Sequence, residues 1–245
     1  MKSIFFSAIL ILAGALQAQA PAANPVPVKE EPHHHLMFEN EYVRVWAFSL
    51  PGHEATLLHT HDLPYIGVAV GAGDFINAVP GKPEAHATPV DGQTSYSKGG
   101  FAHVVRTDAG TPFRNFTIEL LKPQGAPRNR CVKVIADGAL DCPQGTTTPL
   151  SAATTLVFET DEVMMQSGEV TSVMQIAGAD AKPAHLLALP DQSELSVQTP
   201  GKPAKSLHAG EAIWLSAGTA ATLLNQSQGS ARFFLLTFKD SVPQP

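Results

Sequence analysis

The sequence LLHTHDLPY, residues 57–65, places two histidines one residue apart directly after two leucines. Residues i and i+2 of a β-strand point to the same face, so His59 and His61 would present their imidazole rings side by side. Paired imidazoles are a common arrangement for binding a transition metal. Histidines at this spacing also occur on strands without any ligand, so the pair alone leaves both interpretations open.

Short β-rich segments continue on both sides of this stretch. In the first half they are separated by Gly, Pro and Asp turns, and none has the 3.6-residue apolar period of a helix. The chain contains 20 prolines and 19 glycines among 245 residues, which favours many short strands over long helices. A second β-rich block runs from about residue 155 to residue 239. The sequence therefore predicts an all-β protein with two blocks of strands.

The two blocks share sequence features that indicate an internal duplication. The stretch around the paired histidines recurs in the second block, with His185 in the place of His59 and Leu187 in the place of His61. Four pairs of segments align: residues 80–83 with 200–203, both reading PGKP, 52–65 with 178–191, 92–107 with 210–225, and 113–120 with 231–238.

A third histidine, His103, lies on a later β-rich segment after a Gly99-Gly100 turn. With it, the sequence resembles the cupin superfamily, whose two motifs are G-x5-H-x-H-x3or4-E-x6-G and G-x5-P-x-G-x2-H-x3-N. The first motif is carried by Gly52, His59, His61 and Tyr65, with one extra residue before the first histidine, and the second by Gly92, Lys98, Gly100, His103 and Thr107. The resemblance covers about residues 36–240 and implies two tandem antiparallel β-barrels of the jelly-roll type, a bicupin.

The resemblance implies a divalent transition metal in the first barrel, bound by His59, His61 and His103. Tyr65 stands where the family has its glutamate ligand, and a neutral phenol is a poor ligand, so three histidines and open positions are expected. Iron, zinc, manganese, nickel and copper all suit such a site. Tyr65 would then be a catalytic group that hydrogen-bonds or donates a proton to a bound substrate or water. Because Tyr65, Lys98 and Thr107 depart from the motifs, a barrel that has kept its shape and lost its metal is the alternative.

The second barrel lacks a complete ligand set. Leu187 and Ala221 replace two of the expected histidines, while His185 and Asp191 occupy the other two ligand positions. Two ligands out of four rarely hold a metal, so this barrel is interpreted as a structural or dimerising unit with an apolar interior.

Other candidate residues carry weaker signals. Arg106 and Arg114 would bind an acidic substrate if they pointed into the first barrel, although strand arginines usually face solvent. The run His33-His34-His35 is interpreted as a polar part of a flexible leader, with metal scavenging as the alternative. Glu119 alternates with apolar neighbours and is expected to face outward.

The domain organisation follows from composition. Residues 1–20 combine a basic start, an apolar run and an A-x-A site, which is typical of a secretory signal peptide and predicts an exported bacterial protein, periplasmic or secreted. Cys131 and Cys142 are expected to form a local disulfide in an oxidising compartment. The further segments are a flexible leader at 21–35, the first barrel at 36–121, a connection at 122–150 and the degenerate second barrel at 151–240.

Charge and composition limit the functions. The net charge of -6 and the lack of a basic run argue against nucleic-acid binding. No apolar run after the signal is long enough to span a membrane. The leading hypothesis is an exported cupin that binds a transition metal and acts on a small molecule, as a dioxygenase or an isomerase. The alternative is a non-catalytic bicupin, either a periplasmic small-ligand-binding protein or a structural one, and both a monomer and a homodimer fit the sequence.

Overall fold

The computed structural model describes residues 24–122, 133–135, 139–141, 148–149, 154–159, 162–176, 184–189 and 194–239. The regular structure in these ranges consists of β-strands and one 3₁₀ helix, Val28–Glu30, so the predicted all-β class is confirmed. Among the same residues, no helix is long and apolar enough to cross a membrane. The predicted signal peptide at residues 1–20 and the predicted disulfide between Cys131 and Cys142 lie outside the described residues.

The first half of the chain forms two sheets that enclose a barrel. Its strands are β1 Val26–Pro27, β2 His34–Glu39, β3 Val43–Leu50, β4 His59–His61, β5 Tyr65–Ala69, β6 Phe75–Ala78, β7 Ala85–Ala87, β8 Thr94–Ser97, β9 Phe101–Arg106, β10 Phe113–Leu120, β11 Lys133–Ile135 and β12 Ala139–Asp141. One sheet has the strand order β1-β4-β9-β6-β7, and the other has the order β11-β12-β8-β5-β10-β3-β2. The pair β1 and β4 is parallel, whereas β4 and β9, and β5 and β10, are antiparallel.

The second half of the chain repeats this two-sheet architecture. Its strands are β13 Thr148–Pro149, β14 Thr154–Glu159, β15 Val163–Val170, β16 Val173–Ile176, β17 Ala184–Leu189, β18 Leu195–Gln198, β19 Lys205–Leu207, β20 Glu211–Leu215, β21 Ala221–Asn225 and β22 Ala231–Phe238. The two sheets have the strand orders β13-β14-β15-β22-β17-β20 and β16-β21-β18-β19. The internal duplication seen in the sequence is therefore a duplication of the fold.

The two barrels pack against each other through the larger sheet of each half. One apolar cluster joins buried residues of β3, β5 and β10 with buried residues of β15, β17 and β22. Its members include Phe116, Ile118, Leu186 and Phe238, each at most 1% exposed. Side chains alternate between the faces of a strand, so the neighbours of these residues in the chain point into the barrels.

The interiors of the two barrels differ in polarity. An apolar cluster fills the second barrel, as the sequence predicts, and it includes Leu187, Leu195, Ala221, Phe233 and Leu235. His185 is a buried exception, and its Nδ1 lies 3.0 Å from the hydroxyl of Thr237. The first barrel is apolar at one end only, where a small cluster contains Phe48, Leu50, Val105 and Phe113, with Phe75 packed against it. The rest of the first interior is polar.

Residues 24–35 form a short strand, a 3₁₀ helix and the start of β2, which corrects the flexible leader predicted at residues 21–35 over this part of its length. β1 pairs with β4, with Val26 opposite His59, and β2 already begins at His34. Glu31, between these strands, is 1% exposed. The proline and alanine content of the segment suggested disorder. The segment is instead held by ladder hydrogen bonds to β4 and by an ionic network around Glu31, and neither contact has a local sequence signal.

Glu119 faces the interior of the first barrel, which corrects the expectation that it faces outward. It is 2% exposed, and its carboxylate accepts a hydrogen bond from Trp46 Nε1 at 2.9 Å. The neighbouring apolar residues Ile118 and Leu120 belong to the cluster between the two barrels. The alternating pattern therefore separated the two faces of β10 correctly. The apolar face packs against the second barrel, and the polar face lines the interior of the first.

Candidate metal centre

The predicted histidines His59, His61 and His103 meet inside the first barrel. His59 and His61 lie on β4, and His103 lies directly opposite His59 on β9. The ring centroids are 5.1 Å apart for His59 and His61, 4.5 Å for His59 and His103, and 5.3 Å for His61 and His103. All three side chains are buried. The period of the strand and the antiparallel pairing are sufficient to bring these rings together.

One nitrogen of each of these three rings has no partner. His59 Nε2, His61 Nδ1 and His103 Nε2 are buried without a hydrogen bond in the described part of the chain. Buried polar atoms in folded proteins nearly always have a partner, and an unsatisfied one costs about 1–3 kcal/mol. Three such atoms on neighbouring rings indicate a site built for a ligand that accepts nitrogen lone pairs, and a transition metal is such a ligand.

The opposite nitrogens of His59 and His103 are anchored. His59 Nδ1 lies 2.9 Å from the carbonyl oxygen of Leu57, and His103 Nδ1 lies 2.8 Å from the amide oxygen of Asn77. A carbonyl oxygen only accepts hydrogen bonds, so in both rings Nδ1 carries the proton and Nε2 carries the lone pair. This is the arrangement that orients a metal-binding histidine.

A fourth histidine, His34, belongs to the same cluster and was missed by the sequence reasoning. Its ring centroid lies 5.0 Å from that of His59 and 5.4 Å from that of His61. One nitrogen from each of His34, His59 and His61 lies within 4.8 Å of the other two, which is close enough to share a metal ion. His103 borders this group of three. The only sequence signal for His34 was the histidine run at residues 33–35, which gives no position in space.

Glu31 holds His34 in place. One carboxylate oxygen of Glu31 lies 2.7 Å from His34 Nδ1, and the other lies 2.8 Å from His33 Nδ1. Burial alone would raise the pKa of Glu31, but the hydrogen bonds from His34 and His33 outweigh burial and lower that pKa to about 2. Glu31 is therefore ionised at neutral pH and accepts a hydrogen bond from the Nδ1–H of His34. His34 Nε2 is left with the lone pair, as in the carboxylate–histidine–metal arrangement.

The exchange Glu31→Gln is expected to weaken metal binding about 10- to 100-fold, because the ring of His34 loses the negative charge that orients it. Competition with a chromogenic chelator measures this change. Glu54→Gln is the matched control, because the Glu54 side chain is 53% exposed and contacts His33 from outside at 3.3 Å. If Glu31→Gln binds metal with wild-type affinity, Glu31 does not have this role.

Burial keeps the imidazoles of His59, His61 and His103 neutral. It lowers the pKa of His59 to about 4 and that of His103 to about 3, and it lowers the pKa of His61 well below its ordinary value. Neighbouring histidines lower the pKa of His61 and His103 further. A metal ion competes with protons for a nitrogen lone pair, so a neutral imidazole is the form that binds.

The metal-free protein is expected to lose stability as the pH falls from about 6.5 to about 4, the ordinary and the folded-state pKa of His59. Within this window the unfolded chain binds more protons than the folded chain, so the free energy of unfolding rises with pH. His59 alone contributes on the order of 3 kcal/mol. Urea unfolding of chelator-treated protein at both ends of the window measures this. A His59→Gln variant should depend less on pH, and equal wild-type stability at both ends would refute the assignment.

Tyr65 lies beside the histidines. Its ring centroid is 4.6 Å from that of His61. Burial raises the pKa of Tyr65 to about 12, although a hydrogen bond with Ser97 acts in the opposite direction. The phenol is therefore protonated at neutral pH. Its position next to the site agrees with the expected one, and its catalytic role stays a prediction.

Arg106 and Arg114 lie on the outer faces of their strands. Arg106 alternates with His103 and Val105, which point inward, and its Nη2 lies 2.9 Å from the carboxylate of Glu84. Arg114 follows Phe113, which packs inside the first barrel. Neither guanidinium joins the histidine cluster. This corrects the expectation that the two arginines meet an acidic substrate inside the barrel.

Comparisons with known proteins identify the fold. No protein-family model and no curated protein matches the sequence. AerE from Microcystis aeruginosa is 10% identical, with a TM-score of 0.59 over 86% of this chain and 99% of that one. Streptomyces albus HEPD, solved with 2-hydroxyethylphosphonate and Fe(II), is 9% identical, with a TM-score of 0.61 over 86% and 71%. Salicylate 1,2-dioxygenase from Pseudaminobacter salicylatoxidans is 11% identical, with a TM-score of 0.54 over 80% and 71%.

Each of these similar structures is matched over most of both chains, so each shares its fold with the two β-barrels described above. The chain described here therefore has the two-barrel cupin fold, which confirms the resemblance seen in the sequence. At identities of 9–11% the likeness is one of fold.

Proposed function

We propose that this protein is an exported bicupin whose first barrel binds a divalent transition metal through histidines and acts with it on a small molecule. The observation that carries the proposal is a cluster of three buried imidazole rings, those of His59, His61 and His103, each with one nitrogen that has no hydrogen-bond partner in the described ranges. His34 adds a fourth imidazole beside them. An all-imidazole donor set suits iron, zinc, nickel and copper, and manganese is a further candidate.

The metal, when bound, would supply Lewis acidity or redox chemistry. The chain would contribute neutral ligands and a neutral phenol. Because Tyr65 stays protonated at neutral pH, it can donate a hydrogen bond or a proton to a substrate oxygen beside His61. Phe48, Leu50, Val105 and Phe113 form an apolar cluster inside the barrel, and the ring of Phe48 lies 4.6 Å from that of His34. This arrangement fits a dioxygenase or an isomerase acting on a small molecule.

Oxygen consumption by the iron(II)-loaded chain tests the catalytic part of the proposal. Two of the similar structures support oxygen chemistry as the first choice, since one was solved with Fe(II) and another is a dioxygenase. We expect uptake with at least one member of a panel of hydroxylated aromatic compounds, and none with a variant that lacks both His59 and His61. A fully metal-loaded chain that consumes no oxygen and isomerises no compound would favour the non-catalytic binding protein.

Export to the periplasm or the medium is part of the proposal. It is supported by the signal-like pattern of residues 1–20. Fractionation of cells that express the full chain tests it. Cytoplasmic protein that retains residues 1–20 would contradict export.

A further inference from the structure

A carboxylate and a phenol form a polar wall next to the candidate metal centre. Glu119 on β10 and Tyr65 on β5 are directly opposite each other in the ladder. Both point inward, and side chains paired in this way have Cβ atoms about 4.5–5.5 Å apart. The Tyr65 ring contacts the ring of His61 at 4.6 Å. Glu119 is therefore one side chain away from a candidate metal ligand.

The Glu119 carboxylate is fixed through one oxygen. Trp46 Nε1 and Arg44 Nη1 both donate to Oε2, at 2.9 Å and 3.1 Å. Within the described part of the chain, no donor reaches Oε1. The side chain is 2% exposed, and Oε1 is not among the fully buried atoms that lack a partner, so this oxygen keeps a small accessible surface. The second oxygen of Glu119 is thus oriented and available to a ligand.

The charge of Glu119 is only partly balanced. Arg44 also donates to both carboxylate oxygens of Glu39, at 2.7 Å and 3.0 Å. One guanidinium therefore serves two carboxylates, and the group of three keeps one net negative charge. An anionic group placed against Glu119 would meet a like charge at short range, in surroundings where such repulsion is weakly screened.

Glu119 lies toward the end of the barrel away from the apolar cluster of Phe48 and Phe113. Along the inner face of β3, Arg44 comes first with a 29% exposed side chain, and Phe48 lies at the end closed by phenylalanines. Glu119 is paired with Arg44 in the neighbouring strand.

We propose that Glu119 is the specificity-determining residue of this site and accepts a hydrogen bond from a hydroxyl or amine group of an uncharged or cationic small molecule. Tyr65 lies opposite and donates to an oxygen of the same molecule. The inference rests on the proposed metal site and adds the substrate class to it. It replaces the acidic substrate expected from Arg106 and Arg114, because those side chains point away from the interior.

The test compares two probes that differ in one group, catechol and salicylate, on the full chain loaded with cobalt(II). Their dissociation constants are followed by the visible bands of cobalt. In Glu119→Gln we expect catechol to bind at least 10-fold more weakly, while salicylate binds as before or more tightly. Glu39→Gln is the matched control, since it also removes a carboxylate from Arg44 but at a 43% exposed side chain. It should leave the ratio of the two constants unchanged.

Cobalt content and melting temperature, measured on the same samples, separate the possible results. If the wild-type protein binds cobalt but Glu119→Gln leaves the ratio of the catechol and salicylate dissociation constants unchanged, the inference is overturned and the metal site stands. Wild-type protein that takes up no cobalt overturns both. If Glu119→Gln does not fold, Glu119→Asp is measured in its place. Aspartate keeps the charge, but its shorter side chain moves the oxygen away from the ligand. Unchanged catechol binding by that variant would overturn the proposal.

Discussion

Replacing both His59 and His61 with alanine is expected to reduce bound transition metal from about one equivalent per chain to none. Both side chains are buried, at 0% and 2% exposure, and each presents a nitrogen without a hydrogen-bond partner in the described residues. Loss of two of the imidazoles leaves His34 and His103, and two ligands rarely hold a divalent ion in a protein. The expected change is therefore complete loss of binding.

Plasma mass spectrometry of the chain, prepared without a histidine affinity tag, measures the metal content. The matched control replaces two exposed histidines, His86 and His208, whose side chains are 60% and 58% exposed. That variant should keep the metal of the wild type. Equal metal in the His59 and His61 double variant would place the ion elsewhere in the chain, and folded wild-type protein without metal would end the metal hypothesis.

Removal of His34 is expected to give the second largest effect, a loss of metal affinity on the order of 100-fold or more. This exceeds the loss expected for Glu31→Gln, because His34 would bind the metal directly whereas Glu31 only orients His34. His34→Ala tests the ligand alone, and deletion of residues 24–35 also removes Glu31 and the strand that pairs with β4. The neighbouring exposed residue gives the control, His35→Ala, which should bind metal like the wild type.

The result for His34 distinguishes two ligand sets. The cupin motifs imply His59, His61 and His103, whereas the closely spaced group in the structure is His34, His59 and His61. If His34→Ala binds metal with unchanged affinity, the motif set alone is sufficient. If His103→Ala binds metal with unchanged affinity instead, His34 on β2 has replaced His103 as the third ligand.

The local period of the sequence predicted the centre of the site. The two-residue spacing of His59 and His61 fixes a shared face on any strand, and the second motif placed His103 across from them. These inferences depend on strand geometry and on spacing that the sequence carries directly. The apolar interior of the second barrel was predictable for the same reason, since Leu187 occupies a ligand position and cannot coordinate a metal.

The missed features all depend on contacts between distant parts of the chain. His34 and Glu31 come from a segment whose composition suggests a leader, and the pairing of β1 with β4 and of β2 with β3 carries it into the barrel. Glu119 was expected to face outward because its apolar neighbours were assumed to line the interior of the barrel. Those neighbours face the second barrel, and no pattern within one strand distinguishes two buried faces.

The most direct test of the metal centre is an anomalous-difference map from crystals of the metal-loaded chain, recorded at the absorption edge of the bound ion. We predict one dominant peak in the first barrel, about 2.0–2.1 Å from His59 Nε2 and at bonding distance from His61 Nδ1. His34 or His103, or both, should complete the coordination. A well-ordered first barrel with no peak between these rings, or a peak elsewhere in the chain, would contradict the account.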